Sequence, residues 1–182
     1  MTEPSSWNWT SKRTRVGLTG RDIDLIIITD TREQLPYTFD GYAGVEVIRA
    51  GLDAGDYSLP GAEHLAAVER KSLDDLVSCL LQKQRNRFER ELARLRPYHV
   101  AAVVVEASWE DIARQRYRSN MHPQAALQSI LALQVRYSIP FMFCGSREGA
   151  QYVTHGLLCK YLYEVGKIGK AVKGESVHSH AL

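Results

Sequence analysis

Cysteine is scarce in this sequence, and the three present, Cys79, Cys144 and Cys159, form an odd set with no C-x-x-C pair. That argues against a disulfide framework or a thiolate zinc site and fits a reduced intracellular compartment. Long apolar runs are missing too: the longest, Val100 to Val105, is six residues, against the ~18 needed to cross a bilayer. The opening residues, Met1 to Thr10, are polar and lack the charged-then-apolar order of a leader, so neither secretion nor membrane insertion is expected. No charge sign dominates, with 23 Lys plus Arg against 21 Asp plus Glu. What remains is a chain of 182 residues, 45% hydrophobic and 24% charged, the balance of one globular domain able to bury its own core.

The even charge total conceals segregation. Gln82 to Arg96 holds Lys83, Arg85, Arg87, Arg90, Arg94 and Arg96 against only Glu89 and Glu91. A second basic group, Lys12, Arg13, Arg15 and Arg21, precedes the first apolar segment, and a third is Arg114, Arg116 and Arg118. Such clusters suit a polyphosphate partner. They equally suit a solvated helix face laced by i,i+4 pairs such as Arg87 with Glu91.

Hydrophobic spacing divides the chain into alternating strands and helices. Asp24-Leu-Ile-Ile-Ile-Thr-Asp30 has the β-branched character of a strand buried on both faces, and Val45 to Arg49 is a second strand. Gly55 to Leu59, the turn signal Pro60-Gly61, and Leu65 to Lys71 predict a hairpin. Ser72, with Asp75 three residues on, caps a helix whose apolar positions from Leu73 recur at steps of three and four until Pro97, with a break near Gln82 to Asn86. A buried strand at His99 to Glu106, a short helix opened by Ser108-x-x-Asp111, a helix from Pro123 to about Tyr137, a strand at Ile139 to Cys144 and a helix capped by Ser146 complete the order. The domain therefore spans residues 22–166, between an N-terminal arm at 1–21 and a flexible tail at 167–182. Its class is α/β, with a mixed sheet because the hairpin adds antiparallel pairs to crossover connections.

Two acidic residues on the hairpin can be placed by counting. Setting Asp56 opposite Glu69 puts the symmetry point between Ala62 and Glu63, where the turn signals also centre. The carboxylates then stand about 5 Å apart at Cβ, close enough to share one hard cation. Glu69 and Lys71 project from one face of their strand while Arg70 points the other way. Two carboxylates and an ammonium on one patch are what phosphodiester hydrolysis needs: ligands for Mg²⁺ and a cation to orient water or offset charge on phosphorus. Asp30, at the end of the first strand, can join them, and Asp74 follows in the next helical turn.

Asp30-Thr-Arg32-Glu33, Gly55-Asp56-Tyr57 and Val68-Glu69-Arg70-Lys71-Ser-Leu-Asp74-Asp75-Leu76 together closely resemble the nuclease domain of the XPF-type (xeroderma pigmentosum group F) structure-specific endonucleases. The resemblance covers about Asp24 to Tyr137. It implies the restriction-endonuclease-like PD-(D/E)xK fold, a central mixed sheet flanked by helices, and metal-dependent cutting of DNA near branches, flaps or forks in repair or recombination. By it, Asp30, Asp56 and Glu69 bind Mg²⁺ or Mn²⁺ directly or through water, and Lys71 positions the nucleophile. Arg32, Glu33, Arg70 and Asp74 match further motif positions, so Arg32, Arg70 and Asp74 join the expected catalytic set. Lys83, Arg85, Arg87 and Arg90 are the expected DNA-phosphate contacts. Where family members often carry an acidic-Gly-Arg turn, this chain has Gln82-Lys83-Gln84-Arg85. Tandem helix-hairpin-helix modules are echoed only by Gly166-Lys-Ile-Gly169. Targeting is therefore expected from the domain itself, from a homodimer, which an apolar final helix also suggests, or from another DNA-targeting protein. The implied location is the nucleoid of a prokaryotic or viral system, or a eukaryotic nucleus. Rival readings are a non-catalytic DNA-binding scaffold with the same fold and a nuclease acting on RNA or on a mobile element's replication-initiation site.

Other signals carry less. His178 and His180 form an isolated H-x-H, and Gly145-Ser-Arg-Glu-Gly149 lacks the pattern of a phosphate loop, so no nucleotide cofactor follows. Trp7 and Trp9 are open between base stacking and packing, whereas Trp109 is expected to pack beside the strand it follows. Glu106 ends its strand as Asp30 ends the first, either touching the site or sitting in the following turn.

Overall fold

The computed structural model of the chain describes residues 25–173. The N-terminal arm with Trp7 and Trp9, Asp24, and the His178 and His180 pair lie outside the described residues. Among the described residues, six strands and five helices follow one another as β1 (Leu25–Asp30), β2 (Val45–Ala50), β3 (Tyr57–Ser58), β4 (Ala66–Lys71), α1 (Leu73–Leu80), α2 (Gln82–Leu95), β5 (Val100–Val105), α3 (Trp109–Ala113), α4 (Pro123–Tyr137), β6 (Phe141–Phe143) and α5 (Arg147–Val172).

The strands form one sheet in the order β2-β1-β3-β4-β5-β6. β1 pairs parallel with β2, β4 with β5 and β5 with β6, whereas β3 is antiparallel to both its neighbours. One short reversed strand thus leaves β1, β4, β5 and β6 running the same way. Their carboxyl ends, and the start of β3, lie along a single edge of the sheet, where α/β folds assemble their sites.

Strand periodicity separates the two faces. Val103 and Val105 pack with Ala67, Phe88, Leu92, Ile130 and Leu133 under α1, α2 and α4. Val104 and Val68 turn the other way, into a cluster with Tyr37, Phe39, Tyr57 and Leu158 of α5. That alternation of two fixes which side each residue of β4 faces.

The helix predicted from Leu73 to Pro97 is divided at Leu81, whose extended ψ of 149° ends α1 and starts α2. Ser72 caps α1 by accepting from the Asp75 amide, and Ser108 with Asp111 forms a full capping box on α3. The predicted tail at 167–182 begins too early, because α5 continues through Gly166 and Gly169 to Val172. Two glycines cost a helix about 1 kcal/mol each, but α5 is already propagating from buried Ala150, Thr154 and Leu158, and Lys167 pairs with Glu164 across the turn.

Candidate active site

Gly55 sets the position of Asp56. Its φ of +79° is a left-handed conformation, and an added Cβ would lie 3.0 Å from that of Ala67 and 3.3 Å from the Val68 carbonyl. Only glycine brings the chain that close to β4. The ladder then pairs Tyr57 with Val68, the register counted from the sequence. One step further along it, Asp56 comes beside Glu69, with the Asp56 amide donating to Val68 O at 2.8 Å. The Arg70 amide donates to Asp56 Oδ2 at 2.8 Å.

This places two carboxylates where neither is easily charged. Burial, then the charge of Glu69, push the Asp56 carboxyl well above the usual carboxylate range, outweighing the Arg70 amide and Lys71. Glu69 is only 6% exposed, and burial raises it as well, with Lys71 pulling it back and Glu91 adding to the rise. Lys71 bonds directly to Glu69 Oε1, with Glu91 Oε2 at 3.9 Å and the Phe88 ring 5.4 Å away. Burial alone would lower the Lys71 ammonium, but Glu69 outweighs it and holds the group above its ordinary range. A cavity of about 220 Å³ opens beside it, lined by Lys71, Asp75, Cys79, Arg87, Phe88 and Glu91 among others.

Asp30 is engaged differently. Its Oδ1 accepts from the Arg32 amide at 2.7 Å and Arg32 Nε at 2.8 Å; its Oδ2 accepts from Arg32 Nη2 at 3.0 Å and the Leu52 amide at 2.7 Å. These bonds more than offset burial and hold its carboxyl below the usual range. Among the described residues, no group of three or more His, Cys, Asp or Glu side chains is arranged to hold a metal ion. The donor set whose chemistry fits a hard divalent cation is the pair Asp56 and Glu69: adjacent oxygen donors strained by like charge. Both Asp56 and Glu69 stabilise the charge of Arg32, after Asp30 does.

Arg70 is not on this patch. Its side chain lies on the α5 side of the sheet, where Nε and Nη2 clasp Glu106 Oε1 and Oε2 at 2.7 and 3.1 Å and Nη1 reaches Glu33 Oε1 at 3.4 Å. The physical reason is the strand alternation that puts its neighbours Glu69 and Lys71 on the other face. Glu106, open in the sequence between site and turn, is therefore the acceptor for a buried guanidinium. It also accepts from Arg147 Nη1 at 2.8 Å, while Arg147 Nη2 donates to the carbonyls of Leu35 and Pro36 at 2.7 and 2.9 Å. Tyr37 lies under both arginines and stacks on Tyr57 at 5.0 Å. Arg147 and Tyr37 carry no local pattern that marks them, and Glu91 is marked only as the partner of Arg87, since their contacts at the site are with residues distant in sequence.

Asp74 bonds to Arg118, its Oδ1 accepting from the Arg118 amide at 2.9 Å. Of the four expected phosphate contacts, Lys83, Arg87 and Arg90 are exposed along α2. Arg85 is instead half-buried against Glu89 at 2.9 Å, and Glu89 also accepts from Arg136 and Tyr137. Arg87 lies 3.5 Å from Glu91, the i,i+4 pair read from the sequence. Trp109 packs edge-on at 4.6 Å against Phe143 of β6, the neighbour of the strand it follows, and stays partly exposed.

The sheet order, the helices on both faces and the carboxylate and lysine cluster at the strand ends define a restriction-endonuclease-like α/β domain. The ERCC4 domain family model matches residues 29–155, most of the chain, and the chain belongs to that family. It is similar to XPF from Aeropyrum pernix, with TM-score 0.60 and 24% identity over 80% of this chain and 69% of that one. A second solved structure of that protein, in complex with DNA, aligns with TM-score 0.59 and 25% identity over 77% of this chain and 66% of the other. No curated protein sequence matches. Among the described residues, no helix is long and apolar enough to cross a membrane.

The strained carboxylate pair makes a thermodynamic prediction. A carboxyl whose folded-state pKa is raised supports the fold while protonated and ceases to as pH rises through that pKa. Asp56→Asn removes the charge and keeps an acceptor for the Arg70 amide. In EDTA, thermal unfolding should show this variant more stable than wild type at about pH 9, on the order of 1 kcal/mol, with the gap closing towards about pH 5. Equal or lower stability at the higher pH would contradict the like-charge reading.

Proposed function

We propose that the chain is a Mg²⁺- or Mn²⁺-dependent DNA endonuclease that hydrolyses phosphodiester bonds at branched, flap or fork structures in repair or recombination. The observation that carries this reading is the buried Asp56 and Glu69 pair, with Lys71 on the same face, at the carboxyl edge of the sheet. Membership of the ERCC4 domain family and likeness to a protein solved on DNA support the substrate.

When bound, a divalent cation supplies Lewis-acid stabilisation of the phosphoryl oxygens and acidifies an attacking water. Asp56 and Glu69 are the residues that would hold it. Lys71 is fixed between Glu69 and Glu91, placed to orient the nucleophile or to offset charge that develops on phosphorus. Asp30 acts through Arg32, holding its guanidinium by two bonds while the side chain stays 70% exposed to meet a phosphate. Lys83, Arg87 and Arg90 extend positive charge along α2 for sequence-independent backbone contact. Arg70, Glu106 and Arg147 support the site from behind by clamping β4, β5 and α5 together.

Cleavage of end-labelled flap, fork, duplex and single-stranded DNA, with Mg²⁺, Mn²⁺ or EDTA, tests the assignment. The expected outcome is metal-dependent cutting by wild type and a loss of at least about 100-fold in Lys71→Ala and Glu69→Gln, with DNA binding retained. Undiminished cutting by either variant would overturn these roles, and wild-type binding without cutting would favour a scaffold.

The chain is further proposed to work as a homodimer, alone or with a DNA-targeting partner, at the nucleoid or in a nucleus. On α5, Leu162, Val165, Ile168 and Val172 are exposed at helical spacing beyond the packed part of the helix, an apolar stripe that a second copy can cover. Light scattering should give twice the chain mass of 20.5 kDa and return to a single-chain mass in Val165→Glu/Ile168→Glu; a wild-type monomer at micromolar concentration would contradict it.

A further inference from the structure

The loop between α3 and α4 is built to present one arginine at the start of α1, the helix that follows Lys71. Asp111, already engaged in the α3 cap, accepts from Arg116 Nη1 at 2.7 Å and gives its carbonyl to the Arg116 amide at 2.9 Å. Gln115 takes a left-handed φ of 52°, which turns the chain sharply. Tyr117 buries its ring and donates its hydroxyl to Met121 O at 2.8 Å, closing the loop from inside. Between these anchors stands Arg118. Its amide donates to Asp74 Oδ1 at 2.9 Å, and its Nε lies 3.3 Å from Asp74 Oδ2, with the side chain 94% exposed.

Asp74 stands in the first turn of α1, three residues after Lys71. Its two oxygens have separate partners: one holds the loop's backbone, the other faces the guanidinium. The bond to the backbone does not depend on where the guanidinium goes. Arg114 and Arg116, by comparison, are paired with Glu110 and Asp111 beside them. The Arg118 pair is long for a charge-assisted bond, which is usually about 2.7–2.9 Å, and as an exposed pair it is worth about 1 kcal/mol or less. An anion of higher charge density can take the guanidinium from it.

We infer that Asp74 and Arg118 form a backbone-phosphate subsite, Asp74 as a positioning residue that fixes the loop and Arg118 as the contact to a DNA strand crossing the rim beside Lys71. The planar fork of arginine suits a phosphate diester, and the site adds to the basic face of α2 a second contact on a different element. This rests on the DNA-cleaving reading above. It gives Asp74, matched to the motif by resemblance, work other than binding metal.

The test is fluorescence anisotropy on a forked DNA in EDTA, so that nothing is cut, across a range of salt concentrations. Arg118→Ala should weaken binding about 3- to 10-fold and flatten the slope of log K against log salt by about 0.7–0.9, the loss of one phosphate contact. Lys170→Ala, on α5, should leave both unchanged. Asp74→Asn keeps an acceptor for the Arg118 amide and should bind as well as wild type or more tightly, whereas Asp74→Ala, which frees the loop, should bind more weakly. A wild-type affinity and salt slope in Arg118→Ala would overturn the subsite and leave the nuclease reading standing. Failure of wild type to bind DNA at all would overturn that reading and the subsite with it.

Discussion

Everything at this site follows from two carboxylates forced together in a place poor in water. The close approach at Gly55 and the antiparallel register of Tyr57 with Val68 leave Asp56 beside Glu69, and burial makes their shared charge costly. A fold selected for stability alone would not keep such a pair. Lys71 relieves it in part by bonding Glu69, and a divalent cation would relieve it further. Strain that a ligand removes is stored binding energy, and here it is stored at the carboxyl edge of the sheet.

The alternation of β4 lets one strand serve two purposes. Glu69 and Lys71 lie on the α1 and α2 side, where Lys71 lines the cavity, while Arg70 looks towards α5 and is locked by Glu106. Because Glu106 also holds Arg147, the first residue of α5, the end of β4 is tied to a helix that runs the length of the opposite face. A buried guanidinium held by a bidentate carboxylate tolerates little displacement. The side chains that face the cavity therefore stand on a strand with little freedom to move. Asp30 extends the same logic to the rim, spending its four bonds on fixing Arg32 and the Leu52 loop.

Local patterns made much of this legible. The β-branched run ending at Asp30, the caps at Ser72 and Ser108 and the hairpin symmetry that opposes Asp56 and Glu69 are each decided by neighbours a few residues away, and each can be read in the sequence. The interactions that could not be read are those between distant positions. Arg70 and Glu106 lie 36 residues apart, Arg147 and Glu106 41, and Arg118 and Asp74 44, so nothing in spacing or composition pairs them. The motif placed Arg70 and Asp74 in the catalytic set; strand alternation already turned Arg70 to the opposite side of the sheet, but only packing reveals that Glu106 holds it there and that Asp74 holds a loop. The continuation of α5 past Gly166 escaped for a related reason: propensity sees two glycines, whereas the helix is carried through them by the turns already packed on the sheet.

Asp56 and Glu69 are proposed to form a cation site before DNA arrives. Titrating Mn²⁺ into the DNA-free protein, with free ion followed by its electron paramagnetic resonance signal, asks this directly. The expected result is saturable uptake by wild type that is lost in Glu69→Gln and in Asp56→Asn. Uptake unaffected by either substitution, or no uptake by wild type at millimolar ion, would contradict it.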